Sequence, residues 1–316
     1  MPRLIPAVAA TLVLGATGAM LAGVPANERS FTRAEYPSMA WTMQPAVAVI
    51  FGGDMMFDRT IRQAMASHGD DYVFSCVADL LRSADLVVAN LEGPITSHES
   101  VSEDSEPGDG LNYTFTFPTS TASLLARHNI RLVSLGNNHI MNFSRAGLFE
   151  TKRWLDEAGV GHFGDPDFPE SERVARLSLG SIPFSFVNWS DWTSDKTDHT
   201  VAQVREEAQA GRRVVVYAHW GEEYEPPPER VKVLAHQFVD AGAELVVGSH
   251  PHIVQEHERY NGKYIYYSLG NFVFDQYWDE SVRRGLLLRV WFTPTGIASV
   301  EEIPIDNQTD RRTCAA

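Results

Sequence analysis

The sequence predicts an α/β fold arranged as a sandwich of two sheets flanked by helices. Three observations point to it. From Val47 onward, short apolar runs alternate with helix-like segments. The runs are continuously apolar, as expected for strands covered on both faces. Five of them stop abruptly at polar residues of the kind that bind ligands.

The first such run, Val47-Ala48-Val49-Ile50-Phe51, leads into Gly52-Gly53-Asp54. Leu86-Val87-Val88-Ala89 leads into Asn90-Leu91-Glu92, and Leu132-Val133-Ser134-Leu135 into Gly136-Asn137-Asn138-His139. Val214-Val215-Val216-Tyr217-Ala218 ends at His219-Trp220-Gly221, and Leu245-Val246-Val247-Gly248 ends at Ser249-His250-Pro251-His252. Helices are expected over 74–83, 144–158, 201–210 and 229–241, with Ser144 as an N-cap and Gly159 just past the end of its helix. Further strands are expected over 173–187, 253–260, 263–268, 286–292 and 297–305. The segment 98–112 carries Glu99, Glu103, Asp104, Glu106 and Asp109 with little that is apolar, and reads as a solvated loop or lid near the site.

A chain of 316 residues can bury a large core, and 44% apolar with 21% charged residues excludes wholesale disorder. The formal charge of −15 argues against a nucleic-acid partner, which needs a basic surface. It also predicts repulsion from an anionic polymer unless bound cations invert the field locally. Two cysteines, Cys76 and Cys314, are too few for a thiol metal site or a disulfide framework, and Cys76 is expected to be a buried, unreactive small hydrophobe. An uncharged stretch follows Arg3, so residues 1–26 are expected to be a signal peptide or an N-terminal membrane anchor. In either case the domain is expected outside the cytoplasm, secreted, periplasmic or anchored. Residues 27–45 read as a polar tether, 46–307 as the folded domain and 308–316 as a tail.

The five strand ends present Asp54, Glu92, Asn138-His139, His219 and His250-Pro251-His252. Taken singly, each has an ordinary structural reading: a cap, a turn residue or a hydrogen-bonded core imidazole. Together, at strand ends that gather ligands in α/β sheets, they form a set of carboxylate, amide and imidazole donors suited to divalent cations. His250 and His252 flank Pro251, so an extended strand end would aim both the same way.

The motifs Gly53-Asp54, Asn90-Leu91-Glu92, Asn137-Asn138-His139, His219-Trp220-Gly221-Glu222-Glu223-Tyr224, Gly248-Ser249-His250-Pro251-His252 and Tyr267-Ser268-Leu269-Gly270-Asn271-Phe272-Val273-Phe274-Asp275 resemble, in order, those of the CapA-type capsule-synthesis family. The resemblance implies a four-layer α/β/β/α sandwich of the calcineurin-like metallophosphoesterase type. It also implies one or two divalent ions (Mn, Zn, Fe or Mg). Asp54 and His252 would hold the first, Asn138, His219 and His250 the second, and Glu92 would bridge them. His139 would be the proton donor, and Asn271 and Asp275 would stand at the edge of the site. The implied substrate is an anionic surface polymer such as poly-γ-glutamate, or its phosphorylated or peptidyl precursor, with membrane polymer synthase subunits as partners.

Two positions depart from the pattern. Met56 stands where metallophosphoesterases carry a histidine, so a nitrogen ligand is lost; Asp58 is near enough in sequence to substitute, and Met56 is expected to pack in the core. Asn142 stands where an aspartate is usual, which removes a charge partner for His139. Three functions remain open on this reading: a metal-dependent hydrolase or transferase of polymer assembly, a phosphoesterase of other substrate, and a membrane-tethered assembly factor without catalysis.

Overall fold

The computed structural model describes residues 46–166, 173–193 and 197–316. The expected leader or anchor and the expected tether lie outside them. Among the described residues, no helix is long and apolar enough to cross a membrane.

The chain runs β1 (Val47–Met55), α1 (Arg59–His68), α2 (Ala78–Arg82), β2 (Leu86–Leu91), α3 (Ser120–Arg127), β3 (Ile130–Ser134), α4 (Ser144–Ala158) and β4 (Gly161–Phe163). It continues through β5 (Val174–Leu179), β6 (Ile182–Ser190), α5 (Thr197–Gln209), β7 (Arg213–His219), α6 (Glu229–Ala241), β8 (Leu245–Ser249), β9 (His257–Tyr260) and β10 (Lys263–Tyr266). The last elements are β11 (Asn271–Val273), α7 (Glu280–Arg283), β12 (Arg284–Thr293), β13 (Gly296–Asn307) and β14 (Thr313–Ala315).

Two sheets result. One has the order β14-β13-β12-β1-β2-β3-β4 with β11 paired to β1; the other has the order β5-β6-β7-β8-β10-β9. Strands β1 to β4 are parallel, as are β6, β7 and β8, which brings their carboxyl ends to one side of each sheet.

Three apolar clusters identify four layers. Val49 and Phe51 face Phe184, Phe186, Val215 and Tyr217 between the sheets, whereas Ile50 faces the helices that cover the first sheet. Val214 and Val216 turn the other way, onto Leu234 and Phe238 of α6. Period-two alternation thus persists in β1 and β7, but both faces are buried, so the runs read as continuous apolar sequence. The architecture is an α/β/β/α sandwich.

Helix α4 ends at Gly159 (φ 70°) and α6 at Gly242 (φ 118°), where left-handed backbone suits glycine. Ser144 is the first residue of α4 rather than its cap. The helix expected over 74–83 is broken: a 3₁₀ turn (Asp70–Phe74) precedes α2, and the break leaves Cys76 exposed and disulfide-bonded to Cys314. Cys76 is therefore not a buried free thiol. Its partner lies 238 residues away, a pairing that sequence separation does not reveal. The expected tail is likewise corrected, since β14 pairs antiparallel with β13.

Candidate metal centre

Glycine makes the site possible at two close approaches. A Cβ on Gly53 would lie 1.8 Å from the Gly270 carbonyl, so only glycine lets β1 pass close enough to β11 to pair Asp54 with Asn271. A Cβ on Gly248 would lie 1.9 Å from the Tyr267 carbonyl, so glycine also lets β8 pass close under the site. Beyond β8 the chain turns rather than extends. His250 and His252 have φ of 96° and 57°, in the left-handed region that is uncommon for non-glycine residues. Their convergence comes from this turn, not from an extended strand end as the sequence suggested.

The cluster is deeply buried: Asp54, Glu92 and His219 are fully buried, and His250 and His252 nearly so. Asp54 accepts from the Asn90 amide at 2.8 Å and from the His250 backbone N–H at 2.9 Å. His252 Nδ1 lies 2.9 Å from Asn271 Oδ1, and the Asn271 amide nitrogen donates to Gln276 and to the Val282 carbonyl. Asn271 Oδ1 is therefore an acceptor, which assigns the proton of neutral His252 to Nδ1 and leaves Nε2 as a lone pair, 3.5 Å from Glu92 Oε1. His219 lies in a tighter set of contacts: its Nδ1 is 3.0 Å from Ser249 Oγ and 3.3 Å from the Asn90 amide nitrogen, and its Nε2 is 2.8 Å from Asn138 Oδ1.

Three sets place one ligand atom per residue within 4.8 Å of one another: Asp54, Glu92 and His252; Glu92, His219 and His250; and Glu223, His250 and His252. Glu92 is common to the first two.

Burial governs the electrostatics. It pushes Asp54 up to about 6, and burial with the neighbouring Asp54 charge pushes Glu92 well above the usual carboxylate range. Burial lowers His250 to about 4 and holds His219 and His252 well below the usual imidazole range, so these rings are neutral at pH 7. Two buried atoms, Glu92 Oε1 and His250 Nδ1, have no hydrogen-bond partner. Unpartnered polar atoms among neutral imidazoles and a second carboxylate are costly in a dry interior and are what a divalent cation satisfies. The donors present therefore fit a metal.

Around the cluster, the His139 ring packs at a tilt against Phe115 with centroids 4.4 Å apart, and burial lowers it to about 4. Its Nδ1 lies 3.2 Å from Asn142 Oδ1, which also accepts from the Phe115 N–H, so Asn142 still partners His139 without a charge. Met56 is fully buried in the helix-side core, with its sulfur accepting from the Asp58 N–H. Asp58 points away from the cluster: Arg62, Ser102 Oγ and the Thr116 N–H all bond its carboxylate. It is a strut for the segment 98–112 and lies in none of the three sets, against the expectation that it could replace a ligand.

Asp275 pairs with Arg59, whose guanidinium also bonds Asn112 and lies over the Phe115 and Phe274 rings. Arg59, Asn112 and Asp275 line a cavity of about 700 Å³ together with Glu103, Tyr113, Glu223 and Tyr224. The segment 98–112 forms one wall and is pinned through buried Ser102 and Asn112.

Sequence reasoning passed over Asn90, Glu223, Arg59 and Trp192. Asn90 shares a strand face with Glu92, a legible signal. Glu223 lies inside a recognised motif. Arg59 and Trp192, whose ring sits 4.1 Å from that of His250, carried no signal.

A family profile described as bacterial capsule synthesis protein PGA_cap matches residues 48–276. The chain is similar to the PGA biosynthesis protein CapA of Bacillus subtilis, 30% identical over 87% of this chain and 75% of that one. It is similar to the capsule biosynthesis protein CapA of Bacillus anthracis, 28% identical over 81% of this chain and 66% of that one. Among solved structures, a hypothetical protein from Thermus thermophilus shares the fold at a TM-score of 0.54 and 18% identity, covering 82% of this chain and 99% of that one.

Proposed function

The chain belongs to the bacterial capsule synthesis protein family, and from that membership we propose that it serves outside the cytoplasm in making an anionic surface polymer of the poly-γ-glutamate kind, as a metal-dependent hydrolase or transferase. The observation that carries the metal-dependent part is the pair of buried, unpartnered polar atoms, Glu92 Oε1 and His250 Nδ1, inside a cluster of neutral imidazoles. The Cys76–Cys314 disulfide supports the location, because such bonds persist in oxidising compartments.

On this reading Asp54 and His252 would hold one divalent ion and Asn138, His219 and His250 a second, with Glu92 shared between the two sets. Bound there, divalent ions supply Lewis acidity and a water nucleophile at neutral pH. The rest is the work of the chain. Asn271 fixes the His252 tautomer, Ser249 and Asn138 hold the His219 ring in place, and Asn90 orients the carboxylates. Arg59, paired with Asp275, is a cation on the cavity wall beside Glu103 and Glu223. His139 keeps its Nδ1–H on Asn142, so Nε2 is the atom that delivers a proton to the leaving group. Burial first, and the Arg59 charge to a smaller extent, holds His139 at about 4.

The test is a His250→Ala strain in which the chain accumulates to its normal level. Loss of surface polymer is expected, and normal polymer would overturn the proposal. Purified chain supplied with Mn²⁺ and a panel of phosphomonoesters, phosphodiesters and γ-glutamyl peptides then separates the chemistries. Turnover lost in His250→Ala marks a hydrolase, whereas silence across the panel with polymer still lost marks an assembly factor that acts on synthase subunits.

A further inference from the structure

We propose that Glu223 is the entry ligand of the metal centre. It captures a divalent cation from the cavity jointly with His250 and His252, and that position empties inward to the buried sets. The inference rests on the metal-dependent reading above.

Four observations support it. Glu223 and the two histidines offer one ligand atom each within 4.8 Å, and Glu223 alone of the three is exposed. His250 is only 4% exposed, and its Nδ1 has no hydrogen-bond partner. Glu223 also lines the cavity of about 700 Å³, so it belongs both to the solvent-accessible space and to the cluster. Finally, the backbone that presents it is fixed to the histidine turn. The Tyr224 N–H donates to the Pro251 carbonyl at 2.9 Å, the Gly221 N–H donates to Asp191 at 3.1 Å, and Gln276 donates to the Tyr224 hydroxyl at 3.0 Å. Tyr224 takes φ 63° to do so, a backbone conformation that disfavours side chains. A loop held in this way keeps a Glu223 carboxylate oxygen within 4.8 Å of an imidazole nitrogen of each histidine. With the Nδ1 hydrogen of His252 committed to Asn271, the remaining nitrogen offers a lone pair, and a carboxylate beside a lone pair is repelled unless a cation lies between them.

Sharing makes the position transient. His252 has one free lone pair, required both by the set with Glu223 and by the set with Asp54 and Glu92. One ion at a time can use it. The exposed set fills first and the buried set, with two carboxylates, holds the ion at the end. Removing Glu223 should therefore change how fast the centre fills and empties rather than how much metal it holds.

The experiment uses the full-length chain, stripped with chelator and mixed with Mn²⁺. Uptake is followed by loss of the free Mn²⁺ resonance, and release by transfer to excess chelator. For Glu223→Gln, the same final number of ions per chain is expected, with uptake and release both slowed about tenfold or more, as removal of a focusing charge does. Glu92→Gln, which removes the shared inner carboxylate, should fail to retain metal. Uptake by Glu223→Gln at the wild-type rate overturns the proposal. So does a lower final stoichiometry, which makes Glu223 a resident ligand. A wild-type chain that takes up no Mn²⁺ removes the metal reading itself, and the entry ligand with it.

Discussion

Glu92→Gln tests the centre at its most costly point. Glu92 is fully buried, one of its oxygens lacks a hydrogen-bond partner, and the Asp54 carboxylate adjoins it. Without a cation the charged form is penalised twice, by lost solvation and by like charge. Glutamine keeps the shape, removes the charge and can donate to Asp54. In chelator at pH 7.5, Glu92→Gln should be more stable than wild type by about 2 kcal/mol, the scale of an unsatisfied buried group. For a domain of this size that corresponds to about 4–8 °C in Tm. Adding ~1 mM Mn²⁺ reverses the order. A site with Kd of about 1 μM gains about 4 kcal/mol, whereas one weakened to about 0.1 mM gains about 1.4 kcal/mol. Thermal melts of both proteins, with chelator and with Mn²⁺, read all four values. A variant less stable than wild type in chelator would show that the chain itself satisfies Glu92. Equal shifts with Mn²⁺ would show that Glu92 holds no ion.

Three other outcomes follow from the same geometry. In chelator, stability should fall as pH drops from 6.5 toward 4. His139 and His250 stay neutral in the fold down to about 4 but charge in the unfolded chain below 6.5, a loss of up to about 3 kcal/mol each. Asp54, titrating near 6 in the fold, offsets part of that loss with the opposite sign between about 4 and 6; denaturant titrations at three pH values that show flat or rising stability on acidification would contradict the assignment. Asn271→Ala should weaken Mn²⁺ binding roughly 10–100-fold by freeing the His252 ring, and unchanged affinity in a calorimetric titration would sink the tautomer argument. Cys314→Ser should cost about 3 kcal/mol and make Tm insensitive to reductant, with an unaltered wild-type Tm after reduction as the contrary result.

Much of this was legible along the chain. Buried parallel strands write themselves as unbroken valine-rich runs, and each run that stopped at Asp54, Glu92, His219 or His250 marked a strand end by local chemistry alone. Gly159 announced the end of α4 because a left-handed residue at a helix terminus favours glycine. The α/β class, the strand ends and the donor types are therefore properties of the sequence itself. Asn142 and Met56 were legible as departures but not in their consequences, since only the contacts with His139, Phe115 and Asp58 show what each does.

Tertiary structure decided whatever depends on residues distant in the chain. Asp58 was plausible as a ligand by spacing, yet Ser102 and Thr116, more than forty residues on, turn it into a strut. Cys76 reads as inert until β14 brings Cys314 to it across 238 residues. Arg59 and Glu223 gained roles only when the loops around them enclosed a cavity. The physical reason is the range of the forces. Burial pattern, caps and turn chemistry act over a few residues and are written locally, whereas a lone pair has an identity but no partner until the fold supplies one.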